Sequence, residues 1–596
     1  MNYRTTARRA LSHILALLFL LSSFSPAFTQ NRRRQRATAN VSTERAIERR
    51  PLEGPEHVRA PRAYDVLNYT IRTRFDFPNR VVLGDETVTL KPLAGGLRSF
   101  DLDASSMKIE SVTLADSNTA LQYTQPKDKL SITLDRAYEP ADSISVRIKY
   151  RATPEKGLYF IPQTRNGSAS LTKPAQIWSQ GEPEENHYWF PCYDFPDDKS
   201  TSEQFITTNA DEIAISNGAL VETINNPDGT HTFHWKMDEP HSSYLISMVV
   251  GNYAKLDDAY KNIPVEYYTY KGTEAEARNA FAKTPEMMRV FSDKLGIEFP
   301  FNKYAQTIVA NFIFGGMENV TATTHADTEI LGNRSGEAGV ATENLISHEL
   351  AHSWFGDLVT CKDWSQAWLN EGFATFMEAF FREQEAGHEG YLAEMRSNTF
   401  LYFLEDSLKY RRPIVYNRYQ APIDLFDATL YKKGALILHM LRYTVGDEMF
   451  WKALHKYLTE NRDKNVETSD LQRAFEETTN QKLDWFFDQW VYKAGYPELR
   501  VRSFYDLKAH AVTLDVTQTQ GTELNTPAVF RLPVDVEFVT VKGARTERIE
   551  INERHQRFTF KLDSKPLKIN FDKDERILKK LDFPQAGARM VAAHAN

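Results

Sequence analysis

A histidine pair with an acidic residue inside it is the strongest chemical signal in the sequence. His348 and His352 are four positions apart, and Glu349 directly follows the first of them. On an α-helix, positions i and i+4 lie on one face, so both imidazoles can reach one metal ion. Glu349 can reach a water molecule on that ion and take its proton. The pattern predicts a zinc-dependent hydrolase with Glu349 as its general base.

A third metal ligand is expected further along the chain. A catalytic zinc ion takes three protein ligands and keeps one position open for water. Glu371 is the candidate, and eighteen residues separate it from His352. That distance is long enough for the first helix to end and for a second helix to present a carboxylate. The sequence therefore predicts one zinc ion per chain, although cobalt or manganese would accept similar ligands.

Several separated segments resemble the aminopeptidase N family of zinc peptidases, gluzincins that include leukotriene hydrolase. The segments are His-Glu-Leu-Ala-His-Ser-Trp-Phe-Gly-Asp-Leu-Val-Thr at 348–360, Trp-Leu-Asn-Glu-Gly-Phe-Ala at 368–374, Gly-Gly-Met-Glu-Asn at 315–319, Gln-Gly-Glu at 180–182, Trp-Phe-Pro-Cys-Tyr-Asp at 189–194 and Leu-Tyr-Lys-Lys-Gly-Ala at 430–435. The resemblance spans roughly residues 61–586. Tyr188 departs from it, because the family often has arginine at that position.

The resemblance implies that the Gly-Gly-Met-Glu-Asn segment is an exopeptidase motif. Glu318 would hold the α-amino group of a peptide, which is largely cationic at neutral pH because its pKa is about 7.7–8.0. The backbone of Gly315, Gly316 and Met317 would hold the peptide in extended form, and the glycines allow it to approach closely.

The Gln-Gly-Glu segment is implied to face the same substrate. Glu182 would make a second contact to the amine, and Gln180 would line the pocket for the first side chain. Phe314 would form a wall of that pocket. The resemblance leaves the preferred N-terminal residue open.

Tyr431 takes the position of the family's catalytic tyrosine. Its hydroxyl would stabilise the oxyanion that forms when water attacks the first peptide carbonyl, and such stabilisation is a large catalytic contribution. The resemblance thus implies an aminopeptidase that acts on peptides with a free N-terminus, using zinc-activated water, a glutamate base and a tyrosine donor.

Three other functions remain open at this point. The first is a bifunctional aminopeptidase and epoxide hydrolase, and the second is an endopeptidase. The third is a non-catalytic peptide-binding protein on the same fold. Nucleic-acid binding is disfavoured because the net charge of the 596 residues is −8, whereas phosphate contacts need a basic surface.

The first thirty residues have the pattern of a secretory signal peptide. Arg4, Arg8 and Arg9 precede an apolar run that ends at Leu21, and small residues up to Ala27 follow. We expect the mature protein to be exported, periplasmic or extracellular, without stable membrane insertion. Cys192 and Cys361 are expected to be buried thiols, with a single bridge between them as the alternative. The oligomeric state is not predicted.

The remaining sequence predicts a multidomain α+β protein. The predicted parts are a signal peptide at 1–30, a basic flexible linker at 31–60, a β-rich domain at 61–253, a zinc catalytic domain at 254–496, a β-sandwich at 497–586 and a tail at 587–596. The resemblance implies a saddle-like first domain and a thermolysin-like, mostly helical catalytic domain. It also implies that the helical fourth domain of larger relatives is absent.

Individual elements follow from periodicity. Alternating patterns predict strands at 68–75, 81–90, 130–134, 144–150, 304–310, 512–516 and 534–541. A turn is expected at Asn-Pro-Asp-Gly, residues 226–229. Apolar spacing predicts helical structure over 275–295 and a largely helical stretch from 341 to 490.

Overall fold

The computed structural model describes residues 50–59, 61–165, 172–332 and 335–584. The chain divides into two compact units. Of the described residues, those at 58–59, 61–165, 172–332, 335–370 and 458–467 belong to unit 1, and those at 50–57, 371–457 and 468–584 belong to unit 2. The predicted signal peptide, the tail and most of the predicted linker lie outside the described residues. Among the helices of the described part, none has the length and apolar character needed to cross a membrane.

A seven-stranded sheet forms much of the first half of unit 1. Two of its strands, Val81–Pro92 and Lys199–Thr208, alternate between buried and more exposed residues, as is typical of a sheet with one face on a core. The strands Tyr64–Asp76 and Lys199–Thr208 pair in parallel. Across the sheet the strands are, in order, Ala219–Asn225, His231–Ser242, Lys199–Thr208, Tyr64–Asp76, Val81–Pro92, Ile144–Ala152 and Met107–Leu114.

Smaller sheets complete this β-rich region. The turn expected at 226–229 connects two of the strands above. A four-stranded sheet contains Ile213–Ser216, Met248–Gly251, Gln176–Ser179 and Leu158–Ile161. A three-stranded sheet contains Leu97–Asp103, Lys129–Tyr138 and Gln122–Thr124, and a two-stranded sheet pairs Thr172–Lys173 with Thr164–Arg165. Short 3-10 helices span Asn186–Tyr188 and Ser243–Leu245.

A mixed five-stranded sheet follows in the same unit. Its strands are, in order, Tyr253–Tyr260, Ile263–Tyr270, Tyr304–Val309, Ala322–Ala326 and Gly316–Met317. The short strand Gly316–Met317 lies at the edge and runs antiparallel to its neighbour. This edge strand carries two of the residues predicted to bind substrate.

The helical structure predicted over 275–295 is confirmed, and it is divided into two helices, Glu274–Phe281 and Thr284–Leu295. Pro285 is the reason, because its ring would clash with the carbonyl of Phe281 in a continuous helix. The second helix begins at Thr284, so the proline occupies its first turn, where a missing N–H is tolerated.

Two helices carry the predicted metal ligands. The histidine helix, Glu337–Ala351, ends beside His352. The Glu371 helix spans Trp368–Leu408 and is interrupted at Gly387, whose φ is 69°. The division between the two units falls within its first turn. A short helix at Asp327–Ile330, a 3-10 helix at Trp364–Gln366 and the pair of strands Thr360–Cys361 and Asn465–Val466 complete this part.

Unit 2 combines helices with a C-terminal β region. Its further helices are Gly434–Val445, Asp447–Glu460, Thr468–Thr479 and Asp484–Phe487, with π-helical turns at Thr429–Lys433 and Asp488–Tyr492 and 3-10 helices at Pro422–Leu425 and Glu523–Asn525. One sheet contains His555–Lys561, Ala511–Gln518, Glu498–Asp506 and Lys580–Asp582, and the other contains Gly543–Ile551, Leu532–Thr540 and Lys568–Phe571. Phe538 and Phe560 pack between the sheets, with ring centroids 4.9 Å apart.

Residues 50–57 belong to the segment that composition assigns to a linker, and the structure gives them defined partners in unit 2. Arg50 forms a parallel bridge with Tyr410, and Glu56 forms an antiparallel bridge with Arg418 in the same loop. Arg50 and Gly54 each precede a proline, which favours an extended backbone. The extended conformation leaves backbone groups available for pairing with the loop.

Candidate active site

The histidine helix presents its two imidazoles on one face, as the spacing predicts. The N–H of His352 donates to the carbonyl of His348 at 3.3 Å, which is the i to i+4 bond of the last turn. The two ring centroids are 4.8 Å apart. His352 is buried, and His348 is half-buried. One ion placed between the rings could therefore contact both.

The orientation of His352 is fixed by the turn after the helix. Its Nδ1 lies 2.9 Å from the carbonyl oxygen of Phe355, so Nδ1–H donates there and Nε2 is left to bind a metal. Gly356 has φ of 136°, and a Cβ on it would come 3.0 Å from Nδ1. A glycine at this position therefore allows both the turn and the histidine ring to keep their places.

Glu371 completes a possible metal site. Ligand atoms of His348, His352 and Glu371 all lie within 4.8 Å of one another. Bonds of about 2.0–2.2 Å on a tetrahedral zinc ion place ligand atoms roughly 3.4 Å apart, so the set needs only a small contraction to hold one ion. Two imidazoles and a carboxylate are also the donor set of a catalytic zinc site.

The residue before Glu371 is fixed by hydrogen bonds within unit 1. The Oδ1 of Asn370 accepts from the backbone N–H of Cys361 at 3.0 Å. Its Nδ2 donates to the hydroxyl of Tyr244 at 3.3 Å. These bonds hold the first turn of the Glu371 helix, and they fix the direction in which the next side chain leaves it.

Glu349 lies against the edge strand Gly316–Met317. Its side chain is 5% exposed, and a Cβ on Gly316 would overlap its carboxylate. The close approach of the base therefore requires a glycine at position 316. The predicted base and the predicted substrate strand meet at this point.

The predicted amine ligand Glu318 follows the same strand. It is 3% exposed, and its Oε1 lies 3.9 Å from Nδ1 of His352. Gly315 has φ of 87°, and its carbonyl accepts from the N–H of Ala326 at 2.7 Å. The left-handed glycine turns the chain into the strand, so Glu318 is directed towards the histidines.

The Gln180–Glu182 segment contacts the edge strand. The Nε2 of Gln180 donates to Sδ of Met317 at 3.2 Å and to the carbonyl oxygen of Glu182 at 3.4 Å. Carboxylate oxygens of Glu182, Glu318 and Glu371 all lie within 4.8 Å of one another. This concentration of negative charge suits a cationic group such as an ammonium ion.

Two further predicted residues occupy separate places. Phe314 is half-buried, and its ring packs edge-on against Phe312 with centroids 5.7 Å apart. Tyr431 belongs to unit 2, where it lies on the π-helical turn Thr429–Lys433. Its backbone N–H donates to the carbonyl of Asp427 at 3.1 Å. Cys192 and Cys361 are buried thiols that form no disulfide, so the alternative of a bridge between them is wrong.

Glu184 is a neighbour of the site that no sequence pattern indicates. Its Oε1 accepts from Nε1 of Trp364 at 2.7 Å, which ties the Glu182 loop to the segment just before the Glu371 helix. Burial, reinforced by the charge of Asp194, raises the pKa of Glu184 to about 7, against the lowering effect of the Trp364 bond. The sequence gives no signal for it, because Trp364 lies 180 residues further along the chain.

Lys199 stabilises the turn that follows His352. Its Nζ donates to the carbonyls of Asp357 and Leu358 at 2.8 and 2.9 Å. Burial lowers the pKa of this lysine to about 8. Burial, and then the charge of Glu318, raise the pKa of the Asp357 carboxyl well above its usual range. The lysine therefore holds the backbone of a strongly acidic region in place.

Comparison with known proteins identifies the family. A profile described as "Peptidase family M1 domain" matches residues 279–490, and one described as "Peptidase M1 N-terminal domain" matches residues 61–245. Together they span roughly two thirds of the chain. This chain belongs to the M1 peptidase family.

Curated relatives in the M1 family are named as aminopeptidases. "Aminopeptidase 2" of Candida albicans is 25% identical over 458 residues, covering 73% of this chain and 48% of the relative. "Probable aminopeptidase 1" of Sulfurisphaera tokodaii is 26% identical over 486 residues, covering 79% of this chain and 57% of the relative. The chain thus spans about half the length of the curated relatives it matches.

A solved structure has the same fold. The crystal structure of Legionella pneumophila aminopeptidase A in complex with aspartic acid has a TM-score of 0.77 and 19% identity to this chain. The match covers 90% of this chain and 61% of that one. The predicted fold class is confirmed, with an N-terminal β-rich domain, a helical catalytic domain and a C-terminal β region.

Metal binding can be measured independently of activity. We expect the metal-free protein to bind one zinc ion per chain in a calorimetric titration. Glu371→Gln and His348→Ala should each weaken that binding by at least tenfold, because each removes a charge or a ligand atom from the cluster. His388→Ala is the matched control, since His388 is exposed and lies outside the cluster. Unchanged affinity in both ligand variants would contradict the assignment.

The raised pKa of Glu184 predicts a pH-dependent stability difference. Its pKa is about 7 in the folded protein and near 4.5 in the unfolded chain, so folding favours the neutral acid. The contribution to stability is therefore complete below pH 4.5 and is lost as the pH rises towards 7.

Glu184→Gln stays neutral and keeps an oxygen for Trp364. Its free energy of unfolding, measured in urea relative to the wild type, should increase from pH 5 to pH 8. Glu155→Gln, at an exposed glutamate of the same unit, should show no such trend. A difference that stays constant with pH would show that Glu184 ionises normally.

Proposed function

We propose that this chain is a zinc-dependent aminopeptidase, which removes the N-terminal residue from peptides that have a free α-amino group. The observation that carries the proposal is the convergence of carboxylates on one possible metal site. Ligand atoms of His348, His352 and Glu371 form one cluster, and those of Glu182, Glu318 and Glu371 form an overlapping one. The first cluster supports hydrolysis, and the second supports recognition of an amine.

The amine-binding carboxylates would fix the distance between the N-terminus of a peptide and the bond that is cleaved. An α-ammonium group held by Glu318 and Glu182 forms charge-assisted hydrogen bonds, which are stronger than neutral ones. The edge strand Gly316–Met317 has backbone groups available to an extended peptide on its open side. The first peptide carbonyl then lies at a fixed distance from the anchored amine, so only one bond is presented for cleavage.

The reaction is assigned to the residues around the histidines. His348, His352 and Glu371 would hold a zinc ion, which would lower the pKa of a water molecule and polarise the carbonyl. Glu349 takes the proton of the attacking water as general base and returns it to the leaving amine. Its buried carboxylate, held against Gly316, keeps one orientation through both transfers.

Tyr431 is proposed as the donor to the oxyanion. A phenol hydroxyl can donate one hydrogen bond to the oxygen that becomes negative in the transition state. The assignment depends on the Leu-Tyr-Lys-Lys-Gly-Ala segment and its family resemblance. The preferred residue at the peptide's N-terminus stays open, with Gln180 and Phe314 proposed to line its pocket.

We also propose that the protein is exported. The supporting observation is the pattern of residues 1–30, in which a basic start, an apolar run and small residues follow one another. Peptides outside the cytoplasm would then be its substrates.

Replacing the base should separate metal binding from turnover. Glu349→Gln should retain one zinc ion per chain, because residue 349 is not among the three ligands. The kcat on an aminoacyl-anilide should fall by about 10²–10⁴-fold, the usual contribution of a general base. Chelation should abolish wild-type activity, and added zinc should restore it. A zinc-loaded Glu349→Gln enzyme with near wild-type kcat would exclude this role.

Replacing Glu318 should impair recognition of the free amine. Glu318→Ala should lower kcat/KM for unblocked peptides by roughly 10- to 100-fold, the value of a hydrogen bond to a charged group. Glu298→Gln, at an exposed glutamate of the same unit, is the matched control. If Glu318→Ala left the preference for unblocked over N-acetylated peptides unchanged, the assignment of Glu318 to the α-amino group would be wrong. An endopeptidase would then fit better.

A further inference from the structure

The segment Arg50–His57, called the strap below, pairs with residues 410–419 of unit 2. The backbone N–H of Arg411 donates to the carbonyl of Arg50 at 2.9 Å. The hydroxyl of Tyr416 donates to the carbonyl of Leu52, also at 2.9 Å. These bonds fix the first half of the strap to the loop.

The second half of the strap is held by close packing as well as by hydrogen bonds. The N–H of His57 donates to the carbonyl of Asn417 at 2.8 Å. Its ring stacks on Tyr419, with centroids 3.9 Å apart and planes 5° from parallel. Gly54 lies so close to Tyr419 that a Cβ on it would overlap the tyrosine backbone. A glycine is therefore required at position 54 for the strap to lie along the loop.

The loop beneath the strap binds Asp427 at two points. The hydroxyl of Tyr410 donates to Oδ2 of Asp427 at 3.0 Å. The guanidinium of Arg412, which is 1% exposed, donates to both carboxylate oxygens at 2.9 and 2.6 Å. In the sequence, Arg411 lies between Tyr410 and Arg412, the two residues that donate to Asp427. The N–H of Arg411 is bonded to the strap. A shift of the loop at Arg411 would therefore disturb both contacts.

Asp427 in turn holds the turn that carries Tyr431. Its Oδ1 accepts from the N–H of Leu430 at 2.9 Å. Its carbonyl accepts from the N–H of Tyr431 at 3.1 Å. The turn Thr429–Lys433 is π-helical, a rare conformation that often occurs at functional sites and needs support from its surroundings. Asp427 thus connects the loop to the first residues of this turn.

We propose that the strap is a positioning element for Tyr431, acting through the loop at 410–412 and Asp427. The proposal rests on the proposed function, since it assumes that Tyr431 donates to the oxyanion. The strap lies outside the residues matched by the two M1 profiles, 61–245 and 279–490. The strap would therefore contribute to a reaction whose other assigned residues lie within the two matched domains.

Strap displacement should reduce turnover rather than substrate binding. A donor that acts on the transition state contributes to kcat, and its misplacement leaves KM nearly unchanged. Gly54→Ala, made in the full chain, should lower kcat on an aminoacyl-anilide by about three- to tenfold, with KM within twofold. The matched control is Glu53→Gln, because Glu53 is exposed on the strap and should keep wild-type kcat.

A double-mutant cycle tests whether the effect passes through Tyr431. Gly54→Ala should lower kcat in an otherwise wild-type chain and have no further effect on kcat in a Tyr431→Phe background. The effects of residues that act as a unit are not additive. Tyr410→Phe provides a second route, because it removes one ligand of Asp427 without moving the backbone of the strap. It should show the same dependence on Tyr431.

The outcomes are distinguishable. Equal losses of kcat in both backgrounds would overturn this inference and leave the proposed function intact. An unchanged kcat per bound zinc, with only a lower unfolding temperature, would show a purely structural strap and would also overturn it. A Tyr431→Phe enzyme with wild-type kcat would instead overturn the proposed role of Tyr431, and this inference with it.

Discussion

Negative charge buried around two histidines is the constraint on which the rest of this structure depends. Glu318, Glu349, Glu371 and Asp357 are each 2–5% exposed. Burying ionised carboxylates costs several kcal/mol per group unless positive charge compensates them. The raised pKa of Asp357 shows the consequence, because burial and the charge of Glu318 both favour its neutral form. A divalent cation and the ammonium group of a peptide would each add positive charge to this region.

The surrounding elements hold these acids close to one another. The histidine helix ends at a turn in which the carbonyl of Phe355 orients His352. Lys199 donates to the carbonyl of Asp357 in the same turn. The edge strand brings Gly316 against Glu349, so only a residue without a side chain is tolerated there. Such steric requirements keep the base, the amine ligand and the metal ligands in one arrangement before any substrate binds, which is the preorganisation that catalysis requires.

The sequence predicts those parts of the site that depend only on the local geometry of helices and strands. The histidine spacing depends only on helix geometry, and alternation predicts strands because their side chains have a period of two. Over 275–295 the apolar spacing predicts helical structure, but it does not predict the division into two helices beside Pro285. Glu184 and the strap were missed for a different reason. Their partners, Trp364 and the loop at 410–419, lie 180 residues away for Glu184 and about 360 residues away for the strap, and only the folded chain brings them together.

The central claim is that the site cleaves one residue at a time from a free N-terminus. Mass spectrometry of a seven-residue peptide and its N-acetylated twin, each incubated with the zinc-loaded protein, tests this most directly. We expect a ladder of products that shorten from the N-terminus of the free peptide, with the acetylated peptide left intact. Internal cleavage, or equal digestion of both peptides, would contradict it.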